Sequence, residues 1–188
     1  NENIVDVFQP SKNLNSTECS RIERYLNATR STLLFAKGVM LVEGEAELIL
    51  IPALVKKVLG VSLDELGISL ISMDSAFFEH ISNLFHPDRI RKNCAIITDL
   101  DASIEPLPDD EADDNKYQKS CRDSQNSGLI RKDKLDEHTK DNDYISAFYA
   151  NHTFEVDFVG ADNSFELKEV LPSIYQQQAS IDKSIDLL

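Results

Sequence analysis

The chain has 188 residues and 41% hydrophobic content, which is enough to pack a core of one-domain size and excludes wholesale disorder. Its 33 Asp and Glu against 19 Lys and Arg give a formal net charge of −14, so it has no broad cationic face for a duplex and is repelled by anionic lipid. Nucleic acid stays open as a partner only through divalent cations, which gathered carboxylates can present to phosphate.

Residues 1–15 are polar, include Pro10 and read as a linker arm. From Ser16 or Thr17, both suitable N-caps, a helical pattern runs to about Ala36 with Ile22, Leu26, Leu33 and Leu34 on one face and Gly38 as its stop. This N-terminal helix, 16–37, is expected to pack on the domain that follows. The run from Gly38 to Gly44 is almost wholly apolar and predicts a strand buried on both faces at 39–43. Glu45 to Leu59 follows as a helix stopped by Gly60, with Pro52 expected to kink it or shift its first turn. Ser62-Leu-Asp-Glu65 is a capping box. A second buried strand is predicted at 68–72, and a helix from Phe77 to Phe85 puts Phe77, Phe78, Ile81, Leu84 and Phe85 at core spacing.

Cys94-Ala-Ile-Ile-Thr-Asp99 is a third apolar strand, after which the composition changes. Residues 106–128 hold Pro-Leu-Pro, Asp-Asp-Glu-Ala-Asp-Asp and Ser-Gln-Asn-Ser-Gly, with almost nothing to bury. They read as the body of an acidic mobile insertion, 104–128. A charged helical stretch is expected near 129–138. His152 to Val159 alternates with period two and predicts a fourth strand at 153–158. Phe165 to Leu171 is a helix candidate, and 176–188 a C-terminal tail. Strands and helices alternating at these intervals predict an α/β fold: a four-stranded parallel sheet flanked by helices over 38–175.

Cys19, Cys94 and Cys121 are widely separated and odd in number, which favours a reducing compartment over a disulfide framework. Cys94 reads as a small buried hydrophobe. The N-terminus lacks the basic start and apolar core of a signal peptide, and the apolar-rich Leu48–Leu59 is too short to cross a bilayer. The expected location is cytoplasmic, with no membrane partner.

The candidate chemistry lies in carboxylates near strand ends. Glu43 closes the first strand and Glu47 follows on the next helix; Asp99 and Asp101 close the third strand, and Glu155 and Asp157 are two apart in the fourth. In an extended chain residues two apart point the same way, and ligands of parallel sheets bind at the carboxyl edge. Like charges collected there are relieved by a proton or a cation, and hard oxygen donors suit Mg²⁺ or Mn²⁺ rather than zinc. The four histidines show no ligand spacing. Plainer readings stand beside these: Asp-x-Asp as a solvated turn, Glu155 and Asp157 as the wet face of a strand, Glu47 as an exposed helix charge, and 109–114 as solvated loop.

Leu41-Val-Glu-Gly-Glu-Ala-Glu47 followed by Pro52, and then Ile96-Ile-Thr-Asp-Leu-Asp-Ala-Ser103, resemble the Toprim domain of primases, topoisomerases and certain nucleases. More narrowly, Thr32-Leu-Leu-Phe-Ala-Lys-Gly38, Val42-Glu-Gly-x-x-Glu47, Leu66-Gly-Ile-Ser69 and Thr153-Phe-Glu-Val-Asp157 resemble the C-terminal Toprim region of the overcoming lysogenization defect (OLD) family of ATP-dependent endonucleases. The resemblance covers about 18–170. It implies a Toprim-like Rossmannoid fold and a two-metal DNA endonuclease that activates water as the nucleophile. Glu43 would bind metal or act as general acid or base, and Glu47 would be a second ligand. Asp99 and Asp101 would be ligands, Ser103 would add a hydroxyl, and Glu155 with Asp157 would complete the set. DNA is the implied partner, and any homodimer would form through regions outside this chain.

The family's ATPase domain has its phosphate loop, yet Gly-x-x-x-x-Gly-Lys-Ser/Thr is absent here. The chain therefore reads as an excised catalytic domain, with ATP bound only by a separate domain. The family's downstream lysine has no match in Lys168 or Lys183 and is expected beyond Leu188. Two other classes fit parts of the pattern: a haloacid-dehalogenase-type phosphatase with Asp99 as nucleophile, which gives Glu43 no role, and a non-catalytic Toprim-like assembly module.

Overall fold

The computed structural model describes residues 9–26, 30–73, 78–170 and 178–186. Strands β1 (Gly38–Val42), β2 (Ile68–Ser72), β3 (Cys94–Asp99) and β4 (Ile145–Ala150) form a four-stranded sheet in the order β2-β1-β3-β4. β1 pairs in parallel with both neighbours: Gly38 faces Ile68 and Val42 faces Ser72, while Val39 faces Cys94 and Val42 faces Ile97. The helices are α1 (Pro10–Asn13), α2 (Ser16–Tyr25), α3 (Glu45–Leu59), α4 (Leu63–Leu66), α5 (Phe78–Ser82), α6 (Lys116–Thr139), α7 (Phe154–Phe158), α8 (Ser164–Val170) and α9 (Gln178–Ile185). A parallel sheet flanked by helices is the fold class the sequence predicts. The chain parts into two compact units, Asn1–Thr98 with Asp133–Phe148, and Asp99–Lys132 with Tyr149–Leu188.

The first unit contains the larger core. Val39, Leu41 and Val42 of β1 are buried, and β3 alternates so that Cys94, Ile96 and Thr98 are buried while Ala95 and Ile97 are half-buried. Phe78, Ile81 and Phe85 are fully buried, each contributing about 1.5–3 kcal/mol from the area withdrawn from water. Phe77 lies outside the described residues. α3 is a single helix of 15 residues with Pro52 inside it, where the ring removes one hydrogen bond. It stops at Gly60, whose φ of +75° is one that glycine adopts without steric cost. The box at Ser62 is formed, with the Glu65 amide donating to Ser62 Oγ and the Ser62 amide to Glu65 Oε2.

The helix expected over 16–36 is two pieces. α2 is capped by Asn15 rather than Ser16 or Thr17: the Glu18 amide donates to Asn15 Oδ1 at 2.9 Å and the Asn15 amide returns to Glu18 Oε2 at 2.8 Å. α2 ends at Tyr25, residues 27–29 are outside the described set, and Arg30–Leu34 is a 3₁₀ turn. The Thr32 carbonyl accepts from both Phe35 and Ala36, which tightens the chain, and the Thr32 hydroxyl meets Ser69 of β2 at 2.9 Å. Gly38 opens β1 instead of closing a helix.

In the second unit two expectations are corrected. The stretch expected as an insertion loop, 104–128, contains regular structure: Glu111–Asp113 forms a 3₁₀ turn and α6 begins at Lys116. Asn115 Oδ1 accepts from the amides of Tyr117 and Gln118, while Gln118 Oε1 accepts from the Asn115 amide. The Asp114 carboxylate, 1% exposed, takes two bonds from Arg122 at 2.6 and 2.9 Å, and Arg122 also donates to the Pro108 carbonyl. Arg122 holds the Asp114 carboxyl below its usual range. Order here comes from paired polar groups, which an apolar count does not register.

The fourth strand is β4, Ile145–Ala150, and not 153–158. Residues 154–158 are α7, preceded by Thr153 in extended geometry, with Phe154 and Phe158 one turn apart and their ring centroids at 6.5 Å. Phe154, Phe158 and Val159 satisfy a helical period as well as Phe154, Val156 and Phe158 satisfy an alternating one. α8 begins at Ser164, and Leu171, the expected end of that helix, lies outside the described residues.

Candidate functional site

In the first unit, Glu43 follows the last residue of β1 and is half-buried. Its Oε2 accepts a hydrogen bond from Thr98 Oγ1 at 2.6 Å. Thr98, fully buried, is the polar residue in the inward row of β3 that begins with Cys94 and Ile96. The contact follows from register, since Val42 faces Ile97 and the next residues of each strand meet. Glu47, 4% exposed, turns back along α3 so that the Gly44 amide donates to its Oε2 at 3.2 Å. That bond satisfies an amide at the helix start, where negative charge is favoured. It gives this buried carboxylate a structural role.

The second unit holds the other candidates. Asp99 is the last residue of β3, and its Oδ2 accepts from the Phe154 amide at the first turn of α7, at 3.1 Å. Asp101 has a φ of +53°, so Asp99 and Asp101 are not related by extended geometry. One guanidinium serves both: Arg131 Nη2 donates to the Asp99 carbonyl at 2.6 Å and to Asp101 Oδ2 at 3.0 Å. The Arg131 and Asp101 side chains are 13% and 30% exposed.

Arg131 reaches them because α6 comes very close to the chain leaving β3. A Cβ at Gly128 would lie 2.2 Å from the Leu100 carbonyl oxygen, a distance no side chain tolerates. Gly128 and Arg131, three apart, lie on one helix face.

Ser103 donates its hydroxyl to the Glu105 carbonyl at 2.7 Å, and its amide donates to Gln125 Oε1. Asp157 Oδ2 accepts from the Asn151 amide at 2.8 Å, whereas Glu155 is exposed. On α7 these two carboxylates diverge by about 200° instead of sharing a strand face. His152 Nδ1 lies 2.8 Å from the Ala102 carbonyl, which can only accept, so Nδ1 carries a proton and, in the neutral ring, Nε2 presents a lone pair. Sequence reasoning missed Arg131, Thr98 and His152. Thr98 alone carried a signal, as the polar residue inside an apolar strand.

The structure thus brings Glu43 to Thr98, Asp101 to Arg131, and Asp99 to Arg131 and Phe154. Glu47, Ser103 and Asp157 each face a local partner. The oxygens of Glu43, Asp99 and Asp101 suit a hard divalent cation in their chemistry. Among the described residues, no three His, Cys, Asp or Glu are gathered closely enough to hold a metal ion. Protein donors engage these carboxylates.

Residues 34–101 match the family model "Overcoming lysogenization defect protein-like, TOPRIM domain". This is the OLD-like Toprim pattern. It spans Glu43, Glu47, Asp99 and Asp101 and bears out the resemblance read from the sequence. Among solved structures, the C-terminal region of the Burkholderia pseudomallei OLD protein is similar at 25% identity and a TM-score of 0.55, covering 80% of this chain and 71% of that one. Two structures of the C-terminal region of the Xanthomonas campestris pv. campestris OLD protein share the fold. One has 23% identity and a TM-score of 0.50, covering 82% and 72% of the two chains, and the other 20% and 0.52, covering 81% and 72%. Nothing among curated protein sequences matches the chain. Among the described residues no helix is long and apolar enough to cross a membrane.

Proposed function

We propose that this chain carries the catalytic Toprim domain of a metal-dependent DNA endonuclease, with Glu43, Asp99 and Asp101 as the carboxylates that hold Mg²⁺ or Mn²⁺. The observation that carries the reading is positional. Glu43 directly follows β1, and its carboxylate is bonded to Thr98, the residue before Asp99 on the adjacent parallel strand. The OLD-like Toprim match over 34–101 supports a nuclease-family role, and the likeness to the Burkholderia pseudomallei OLD region extends that support across most of the chain. Divalent cations in such a site supply an activated water and stabilise charge on the phosphate under attack.

The chain's own residues orient the donors. Thr98 directs its hydroxyl at Glu43 Oε2, which fixes one oxygen of that carboxylate. The Phe154 amide does the same for Asp99 Oδ2. Arg131 tethers Asp101 and the backbone of Asp99, and neutralises part of the charge they concentrate. Glu47, Ser103, Glu155 and Asp157 remain secondary candidates, Glu155 having the freest approach from solvent.

The test is cleavage of supercoiled plasmid in Mg²⁺ or Mn²⁺ by the wild type and three variants. Glu43→Ala and Asp99→Ala should each abolish nicking, because members of a ligand set act as a unit. Asp110→Ala should leave it unchanged, since Asp110 is exposed and its Oδ1 caps only the short turn at Ala112. Plasmid cleavage that survives both Glu43→Ala and Asp99→Ala would overturn the assignment.

A further inference from the structure

Beside Asp101 the second unit opens a cavity of about 210 Å³ whose lining is unlike a core and unlike a phosphate site. One wall is a face of α6: Tyr117, Ser120, Cys121 and Ser124 recur at helical spacing. Ile104 and Val156 add apolar surface, and Thr153 and His152 add polar groups. Among the described residues that line it, Asp101 is the charged one and no lysine or arginine contributes. A free anion therefore has nothing to hold it there.

Serine and threonine hydroxyls donate or accept as required, and His152 offers the Nε2 lone pair deduced above. Tyr117 is 62% exposed, so packing leaves much of it open to a ligand. A hydrogen bond with Cys121, one turn on, raises the pKa of the Tyr117 phenol. Enclosed sites for drug-sized ligands usually exceed roughly 300 Å³, so this cavity suits a single ring system. A neutral, planar ligand with hydrogen-bonding edges fits that lining, and a nucleobase has that chemistry. A base inside a duplex is stacked and paired and cannot enter.

We propose that this cavity takes one unpaired base of a DNA strand, stacked on Tyr117 and bonded at its edge by the hydroxyls and His152. The substrate class is then single-stranded or locally opened DNA. The inference rests on the nuclease reading above and deepens it, because Asp101 belongs both to the cavity and to the candidate ligand set. It also suits the charge balance: stacking holds a strand without the cationic surface that this chain, at −14, lacks.

Cys121 supplies a readout independent of cleavage. It is free and half-buried on the cavity wall, so an occupant should slow its alkylation, followed residue by residue by mass spectrometry. The full chain is incubated in millimolar Ca²⁺ with a single-stranded oligonucleotide, the same oligonucleotide with abasic sites, or a blunt duplex of equal length. Single strand should slow Cys121 modification by about fivefold or more, with Cys19 unaffected, whereas abasic strand and duplex should not. Tyr117→Ala should remove the protection and Tyr117→Phe should keep it; both alter an exposed side chain, so the fold should survive. Equal protection by abasic strand or duplex, or none by single strand, would overturn the base cavity. If plasmid is cut yet Cys121 is unprotected, only this inference falls; if Cys121 is protected yet no DNA is cut, only the nuclease reading falls.

Discussion

His138 shows how one half-buried side chain can set a pH dependence. It lies near the end of α6, its Nε2 is 2.9 Å from Ser82 Oγ, and with His80, Glu79, Glu18 and Arg21 it lines a cavity in the first unit. Burial lowers its pKa from the ordinary 6.5, with Arg89 acting the same way and Glu79 opposing. Burial likewise lowers His80, helped by Arg21 and opposed by Glu79. The unfolded chain therefore binds more protons than the native one just below pH 6.5. Stability rises with pH wherever the unfolded state holds the extra protons. The melting temperature should climb between about pH 5 and pH 7. His138→Gln should flatten part of that climb, and adding His80→Gln should flatten more. Calorimetric scans across that range check it; a slope unchanged in the double variant would exclude the histidines as its source.

At the scale of elements, α6 rests on one glycine. Replacing glycine by alanine inside a helix ordinarily gains about 0.5–1 kcal/mol. At position 128 the added Cβ would be 2.2 Å from the Leu100 carbonyl oxygen and 2.6 Å from its carbon, both backbone atoms that cannot rotate away. Gly128→Ala should therefore reverse the usual sign and cost about 1–3 kcal/mol through overpacking, read as a lower urea midpoint. It should also weaken plasmid nicking, because Arg131 rides on the same helix face. None of this was legible in the sequence, where Gly128 closed a polar run and looked like loop. β1 to β3 were legible because each is a short, mainly apolar run bounded by polar or turn residues. β4 and α7 were not: Phe154-Glu-Val-Asp-Phe158 fits either period, while Ile145-Ser-Ala-Phe-Tyr-Ala150 buries only Ile145. In the candidate site, Glu43 and Asp99 could be read from their strand ends. Arg131 could not, because 30 residues separate it from its Asp101 partner.

For the molecule as a whole, the excess of carboxylates makes divalent cations the natural counter-charge. At −14 the native state carries self-repulsion that a bound cation relieves, and binding to the native state alone raises the melting temperature. Mg²⁺ or Mn²⁺ added to chelator-treated protein should raise it progressively, beyond the effect of NaCl at matched ionic strength. Asp99→Asn should flatten the response and leave the metal-free protein as stable as the wild type or more so, since a repelling charge is gone. An identical metal response in Asp99→Asn would move the binding elsewhere on the surface. The same acidic excess gives context to the 106–115 segment. Its charges are exposed apart from Asp114, whose pair with Arg122 ties this polar stretch to α6.

The bond from the Phe154 amide to Asp99 has a consequence for selectivity. The amide takes one lone pair of Asp99 Oδ2, so a newcomer competes only where it needs that same direction of approach. Displacing the bond strands a backbone donor at the start of α7 that must find water or another acceptor, at about 1–3 kcal/mol if it stays buried. Weakly held monovalent ions do not repay such a toll. On the proposal that Asp99 holds a cation, a group that never touches the ligand would set the threshold for entry, and the first turn of α7 would select by charge density.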